Sequence, residues 1–331
     1  MKILFSVFAI LALSDKIIIS GIFLAFFISS LITLILEYFI LLKKDKSLLC
    51  GNKGVFDKSK INSYWKFMAL ATVFLSIFGS IDILMLGRAV SSEYLGYYRA
   101  SLSLVVSIAS LFSLSTIFLP IFTQISGKRF NRGFQKTLRY ILMISIPATV
   151  GVIFISNYLI KAFYGDAYLT GTSAVYFLSS LIITSPIIGL YSIVLQSKEK
   201  SKIVSNSIII ALVVNIVLNL ISVFVFRQND LFAINAVALS TSLSRILLLG
   251  ILIFQAKKQF NFRIKGIGLR SLIISTFIMS IFLFAFNYIV NINILLGILE
   301  IIISMLIYFG MLYLLKGINK EDFKLVKGII K

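Results

Sequence analysis

Long apolar runs constrain the fold of this chain more than any other feature of its sequence. Two of them, roughly 67–87 and 95–123, are joined by the short turn AVSSEYLG. Each run is long enough to cross the hydrocarbon core of a bilayer, which is about 30 Å thick. In lipid, backbone polar groups are satisfied only within helices or closed barrels. Stretch 61–132 is therefore predicted to contain a membrane-spanning helical hairpin.

The whole chain continues this pattern, with ten apolar segments along its 331 residues. Their approximate bounds are 3–13, 17–42, 65–87, 94–123, 140–163, 172–195, 203–226, 232–256, 270–290 and 294–316. The first is short, and we interpret it as a retained helix because no A-x-A-like cleavage site follows it. A hydrophobic share of 59% and a mean hydropathy of +1.03 also indicate a membrane protein with several spans. The sequence predicts an all-α polytopic bundle of nine or ten membrane helices.

Basic residues occur mainly in alternate loops, which predicts the orientation of the chain. Loops 43–60, 128–139, 198–202 and 257–270 and the tail 316–331 hold most of the 32 lysines and arginines. Basic loops stay on the cytoplasmic side of a membrane. Both termini are therefore expected in the cytoplasm of a multi-pass cell-membrane protein. The net charge of +20 is interpreted as a topology signal, and no nucleic-acid partner is expected.

The composition also excludes several kinds of chemistry. The chain has no histidine, so imidazole acid–base catalysis and most zinc sites are excluded. Cys50 is the single cysteine, so there is no disulfide within the chain. No GxxxxGK[ST] motif for a nucleotide occurs. We expect a protein that is not an enzyme and that needs no metal or cofactor.

Polar side chains mark one face of the second helix in the predicted hairpin. Arg99, Ser103, Ser107 and Ser110 are spaced by four, four and three residues, which places them on one helical face. Such a face is unfavourable against lipid, so it should face protein or a watery cavity. Asp82 lies at a depth similar to that of Arg99. Pairing of these two charges is the cheapest arrangement, and a cation or proton coupling site is the alternative.

Arg245 is the most deeply placed charge. It lies about 18 Å from either end of its segment, where an arginine costs about 2.5–3.5 kcal/mol. Thr241 lies one turn earlier on the same face. One interpretation is an anion anchor, since a guanidinium matches phosphate oxygens in a bidentate fork. The other is a structural ion pair with an internal carboxylate. Glu300 is expected at the membrane interface.

Several motifs carry a resemblance to a known family. The runs IDILMLG at 81–87, LGYY at 95–98 and LPIF at 119–122 resemble the seventh and eighth helices of polysaccharide (O-antigen type) flippases, in the multidrug/oligosaccharidyl-lipid/polysaccharide exporter superfamily. NIVLN at 215–219 resembles the asparagine-rich eleventh helix of that family. INAVA at 234–238 departs from the family by lacking its glycines. From the residues alone, Asn215 and Asn219 are expected to hydrogen-bond between helices.

The resemblance implies a domain organisation. Residues 1–60 would be a remnant of a first lobe, 61–256 a six-helix second lobe like that of the multidrug exporters, and 257–331 a terminal two-helix hairpin with a basic tail. Four helices at the start of the family have no counterpart. The implied function is alternating-access flipping of a polyprenyl-pyrophosphate-linked oligosaccharide for cell-surface polysaccharide synthesis. The lipid-linked substrate and membrane lipid would be its partners.

A basic, serine-lined face inside the membrane suits a pyrophosphate that carries hydroxylated sugars. We therefore expect Arg245, Arg99, Ser103, Ser107, Ser110 and Thr241 to bind the substrate. One alternative is a drug or cation antiporter of the same superfamily. Such a protein would need a cavity lined mainly by carboxylates. The other is a truncated, non-transporting half-protein. Such a chain would work as a homodimer or with a separately encoded first lobe.

Overall fold

The computed structural model describes most of the chain, and all of the regular structure in its described residues is helical. The described ranges are 18–44, 58–113, 118–260, 268–289 and 294–318. The first predicted segment (3–13), Cys50 and the tail after residue 318 lie outside the described residues. The chain divides into two compact units, 1–59 and 60–331.

The described part of the first unit is dominated by α1 (Ile18–Lys44). Its 27 residues give a length of about 40 Å, enough to cross a bilayer. The remaining helices are α2 (Lys58–Leu86), α3 (Ser92–Leu111), α4 (Leu119–Gln124), α5 (Gly127–Tyr164), α6 (Thr172–Leu178), α7 (Ser180–Ser197), α8 (Ser201–Val225), α9 (Asp230–Phe260), α10 (Leu269–Ile289) and α11 (Ile294–Leu314). A 3₁₀ turn, Asp166–Gly171, joins α5 to α6.

Eight of the described helices are long and apolar enough to cross a membrane: α1, α2, α5 and α7 to α11. Helix α3 adds another 20 residues that carry more polar side chains. The protein is therefore a multi-pass membrane protein, and the predicted all-α polytopic helix bundle is confirmed.

The segment predicted at 94–123 is not one helix. Helix α3 ends at Leu111, and α4 begins at Leu119 with Pro120 in its first turn. Proline has no backbone N–H and its ring clashes with the preceding turn, so it starts a helix more easily than it continues one. Pro120 therefore lies within a helix, but at its start. Pro147 and Pro186 do lie inside helices, α5 and α7.

Three apolar clusters hold the second unit together. The first surrounds α7, where Leu190 and Val194 are fully buried, and includes Phe134 of α5. The second joins α3 to α6, α7 and α9. The third packs the hairpin formed by α10 and α11 against α5, through Met279 and Tyr308 among others. Most of the side chains of α7 are buried, so this helix lies at the centre of the unit.

A close backbone approach fixes the rotation of α3. A Cβ at Gly171 would lie 2.8 Å from the carbonyl oxygen of Tyr97, so this position needs a glycine. Ser101 Oγ donates a 2.7 Å hydrogen bond to the Gly171 carbonyl oxygen. These contacts turn the side of α3 that carries Tyr98, Ser101, Leu102 and Val105 towards the interior. The opposite side is left exposed.

Candidate functional site

The exposed side of α3 is the face that the sequence pattern predicts. Arg99, Ser103, Ser107 and Ser110 are all exposed, while their helical neighbours on the other side are buried. Ser110 Oγ donates to the Ser107 carbonyl oxygen at 2.7 Å. Among the described residues, the Arg99 guanidinium has no hydrogen-bond or ion-pair partner. The structure thus brings one cation and three hydroxyls together on an open surface.

Asp82 lies in a separate, internal cluster. Its side chain is 1% exposed, and three donors from three other helices contact it. Tyr98 OH of α3 and Thr241 Oγ1 of α9 donate to Oδ2 at 3.0 and 2.7 Å, and Asn219 Nδ2 of α8 donates to Oδ1 at 2.7 Å. This cluster joins α2, α3, α8 and α9 at one point.

The expected pairing of Asp82 with Arg99 is wrong. Tyr98 is the α3 residue that contacts Asp82, through a hydrogen bond from its hydroxyl. Arg99 lies on the exposed side of the same helix. Successive residues of an α-helix are about 100° apart around its axis, so neighbouring side chains do not share a face. The Gly171 contact decides which of the two points inward.

Arg245 belongs to the internal cluster, apart from Arg99 and the serines. Its guanidinium carbon lies 4.1 Å from the centre of the Phe78 ring, a cation–π contact. Its positive charge is near enough to stabilise the Asp82 carboxylate, although no ion pair joins the two within the described part of the chain. Thr241 lies one turn from Arg245 and points to the same carboxylate. Of the two interpretations of Arg245, this geometry favours the structural one.

Three polar atoms near Asp82 are buried without a partner in the described structure: Asn215 Nδ2, Asn219 Oδ1 and Arg245 Nε. Asn219 Nδ2 also lies 3.4 Å from Asn215 Oδ1. The expected interhelical hydrogen bonding by Asn219 is confirmed, since it links α8 to α2. Of the three unpartnered atoms, only Asn219 Oδ1 is an oxygen that could bind a cation. The described part of the cluster therefore contains buried polar atoms without hydrogen-bond partners as well as atoms that have them.

A second buried carboxylate lies in the terminal hairpin. Glu300 of α11 is fully buried and accepts a 2.7 Å hydrogen bond from Asn287 Nδ2 of α10. Its expected place at the membrane interface stays a prediction, because burial against α10 does not give the depth of the side chain in the membrane. Residue count predicts the depth of Glu300, whereas the packing of α10 against α11 decides its exposure.

An apolar cavity of about 250 Å³ lies where α5 meets the terminal hairpin. Pro147 and Gly151 of α5, Met279 and Leu283 of α10, and Met305 of α11 are among its lining residues. Proline and glycine leave a concave surface on α5 because neither fills the space of a long side chain. The cavity can hold hydrocarbon chains.

Sequence reasoning did not identify Tyr98 and Phe78 as parts of the site. Tyr98 is fully buried with its hydroxyl on Asp82, and Phe78 is fully buried beneath Arg245. One signal was available, because Phe78 lies four residues before Asp82 and so shares its helical face. Tyr98 stands in the LGYY run at 95–98, but nothing in that run indicated that its hydroxyl would meet Asp82.

Comparison with known proteins finds similarity to lipid II flippases in both sequence and structure. The chain is 27% identical over 186 residues to the lipid II flippase MurJ of Bacillus subtilis (strain 168), which covers 54% of this chain and 34% of that protein. Its structure resembles a solved lipid II flippase MurJ in an inward closed conformation, with a TM-score of 0.66 and 22% identity. That match covers 94% of this chain and 64% of the solved chain.

The chain spans about a third of the length of the curated relative and under two thirds of the solved one. The structural match shows a shared fold. A family described as polysaccharide biosynthesis protein matches residues 5–173, which is just over half of the sequence. The chain therefore belongs to this polysaccharide biosynthesis protein family.

Proposed function

We propose that the protein takes part in flipping a polyprenyl-pyrophosphate-linked oligosaccharide across the cell membrane by alternating access. The exposed face of α3 carries this proposal, because it presents Arg99 and three serines inside a membrane protein. A guanidinium binds phosphate oxygens in a fork, and serine hydroxyls hydrogen-bond sugar hydroxyls and phosphates alike. Membership of a polysaccharide biosynthesis family and likeness to flippases support the same substrate class.

An exposed arginine within the bilayer is unfavourable unless it faces water or protein. The α3 face therefore lines a cavity that other protein closes, either a second lobe or a second copy of the chain. Two lobes around a shared site are what alternating access requires.

The cavity between α5 and the terminal hairpin supports a role in holding the polyprenyl tail. Its lining is apolar, and it includes Ile108 and Phe112 at the C-terminal end of α3. The tail site and the polar face therefore both involve α3. A lipid-linked substrate needs this combination of a cationic surface and a hydrocarbon groove.

Asp82 fits the structural alternative better than the coupling one. Three donors already occupy its oxygens, and a cation could bind only after Thr241, Asn219 or Tyr98 turned away. The same geometry argues against the drug or cation antiporter. That class needs a carboxylate that its substrate can reach, and Asp82 is 1% exposed.

Cysteine labelling of α3 tests the proposed function. In a chain with Cys50→Ser, we expect Ser107→Cys to react with a water-soluble thiol reagent, and a bulky adduct there to stop flipping. The lipid-linked substrate should protect the thiol, because it occupies the same face. Ser101→Cys is the matched control on the buried side of the same helix and should not react. Labelling of Ser107→Cys without loss of flipping or protection would contradict the proposal.

The basic loops support an orientation with both termini in the cytoplasm. With Cys50 replaced, Gln228→Cys should react with a membrane-impermeant thiol reagent added outside intact cells, and Lys200→Cys should react only after the cells are opened. The two positions lie at opposite ends of α8. Outside labelling of Lys200→Cys would reverse the orientation.

A further inference from the structure

Two arginines lie together at the end of the bundle that is poor in basic residues. Arg88 follows the end of α2, and Arg227 follows the end of α8. Both line one open pocket of about 870 Å³. The three lysines 198, 200 and 202 lie at the other end of α8, so the pocket is at the end opposite the basic loops.

Neither guanidinium has a hydrogen-bond or ion-pair partner among the described residues. Lys161, also at this end, is different, because its Nζ lies 2.7 Å from Asp166 Oδ1. Asp230 is near the start of α9, but its Oδ2 accepts a 2.9 Å hydrogen bond from the Ser91 backbone N–H and it does not line the pocket. The helix dipoles at the C-terminal ends of α2 and α8 favour the positive charge of the two guanidinium groups. They do not provide an anion that pairs with either group.

The rest of the pocket is apolar and faces outward. Leu84, Leu220 and Phe224 line it and are 67%, 56% and 81% exposed. They lie one to two turns nearer the middle of their helices than the arginines. The pocket is therefore cationic near the membrane surface and apolar towards the membrane interior, which is the polarity of a phospholipid molecule.

We propose that Arg88 and Arg227 form a binding site for an anionic glycerophospholipid of the leaflet at this end. The two guanidinium groups bind the phosphate oxygens of the headgroup, and an acyl chain lies along Leu84, Leu220 and Phe224. Bound lipid would join the ends of α2 and α8, the helices that carry Asp82 and Asn219. This site is separate from the α3 face and does not depend on which substrate that face takes.

Tryptophan quenching in bilayers tests the site directly. Trp65 is the sole tryptophan, so Trp65→Phe with Phe224→Trp leaves one fluorophore in the pocket. In mixed bilayers we expect phosphatidylglycerol with brominated chains to quench it in preference to brominated phosphatidylcholine. Adding Arg88→Gln and Arg227→Gln should lower that preference about tenfold, since each arginine attracts anionic lipid.

The matched control removes two arginines elsewhere. Arg129→Gln with Arg132→Gln changes the net charge equally at the start of α5 and should leave the preference unchanged. Circular dichroism of each variant checks that its helices are kept. Absence of a preference in the parent, or a preference that survives loss of both arginines, would refute the site. Stronger displacement of the phospholipid by a polyprenyl pyrophosphate would overturn the assigned occupant, making the pocket a substrate subsite.

Discussion

Asp82→Ala should lower the free energy of unfolding by about 3–5 kcal/mol, the range found when one partner of a buried charge network is removed. The substitution leaves the donors of Tyr98, Asn219 and Thr241 without their acceptor. It also leaves the charge of Arg245 without the carboxylate that offsets it. Unfolding of the purified chain by SDS in mixed micelles measures the change.

A second substitution separates charge from packing. Adding Arg245→Leu to Asp82→Ala should recover part of the loss, because an apolar side chain replaces an uncompensated charge. The control is Asp166→Ala, which removes an exposed carboxylate paired with Lys161 and should have little effect. Full stability of Asp82→Ala would show that the cluster does not hold the four helices together.

A further variant, Arg245→Ala, distinguishes the two interpretations of Arg245. If Arg245 anchored the substrate, Arg245→Ala would abolish flipping while stability stayed unchanged. The contact with Phe78 and the nearby charge of Asp82 instead predict that Arg245→Ala lowers stability. The folded fraction of this variant should retain its affinity for the lipid-linked substrate.

Arg99→Ala should weaken binding of the lipid-linked oligosaccharide by about 10- to 100-fold, since a hydrogen bond to a charged group contributes about 1.5–3 kcal/mol. Its stability should not change, because the side chain is exposed and makes no contact that the described structure would lose. Arg99→Lys should recover only part of the affinity, since a point charge lacks the fork geometry. Native mass spectrometry with the substrate measures binding, and proteoliposomes measure flipping.

Arg132→Ala provides the comparison for this experiment. It removes an exposed arginine at the start of α5, away from the α3 face, and should bind substrate as the parent does. Equal affinities of Arg99→Ala and the parent would remove the main support for the proposed substrate site.

The positions of the membrane helices and the exposed face of α3 could be predicted because both depend on local periodicity. Apolar length identifies a span, and a spacing of three or four residues places Arg99, Ser103 and Ser107 on one side of a helix whatever the rest of the chain does. Thr241 and Arg245 share a face for the same reason.

The partners of those residues could not be predicted in the same way. Whether Tyr98 or Arg99 meets Asp82 depends on the rotation of α3, which a contact with Gly171, about 70 residues away, decides. Glu300 is buried because α10 supplies Asn287 beside it. Pro120 did carry a local signal for an irregularity in the helix. Proline is compatible with a helix start as well as with a kink, so the residue type alone did not decide between the two.

Helix α5 is far longer than a bilayer requires. Its 38 residues extend about 57 Å, against a hydrocarbon thickness of about 30 Å. The end of the terminal hairpin is fastened to it at two levels. Tyr308 OH of α11 donates to the Met143 carbonyl at 2.7 Å, and Arg139 Nη2 donates at 2.6 Å to the carbonyl of Gly317, which follows α11.

We therefore expect α5 to move together with the end of the terminal hairpin, and the excess length of α5 to form an arm outside the membrane. With that arm about 27 Å long, a tilt of about 10° at the membrane displaces its tip by about 5 Å. We expect small changes around the apolar cavity to be amplified in this way at the basic start of α5, which extends into the aqueous phase.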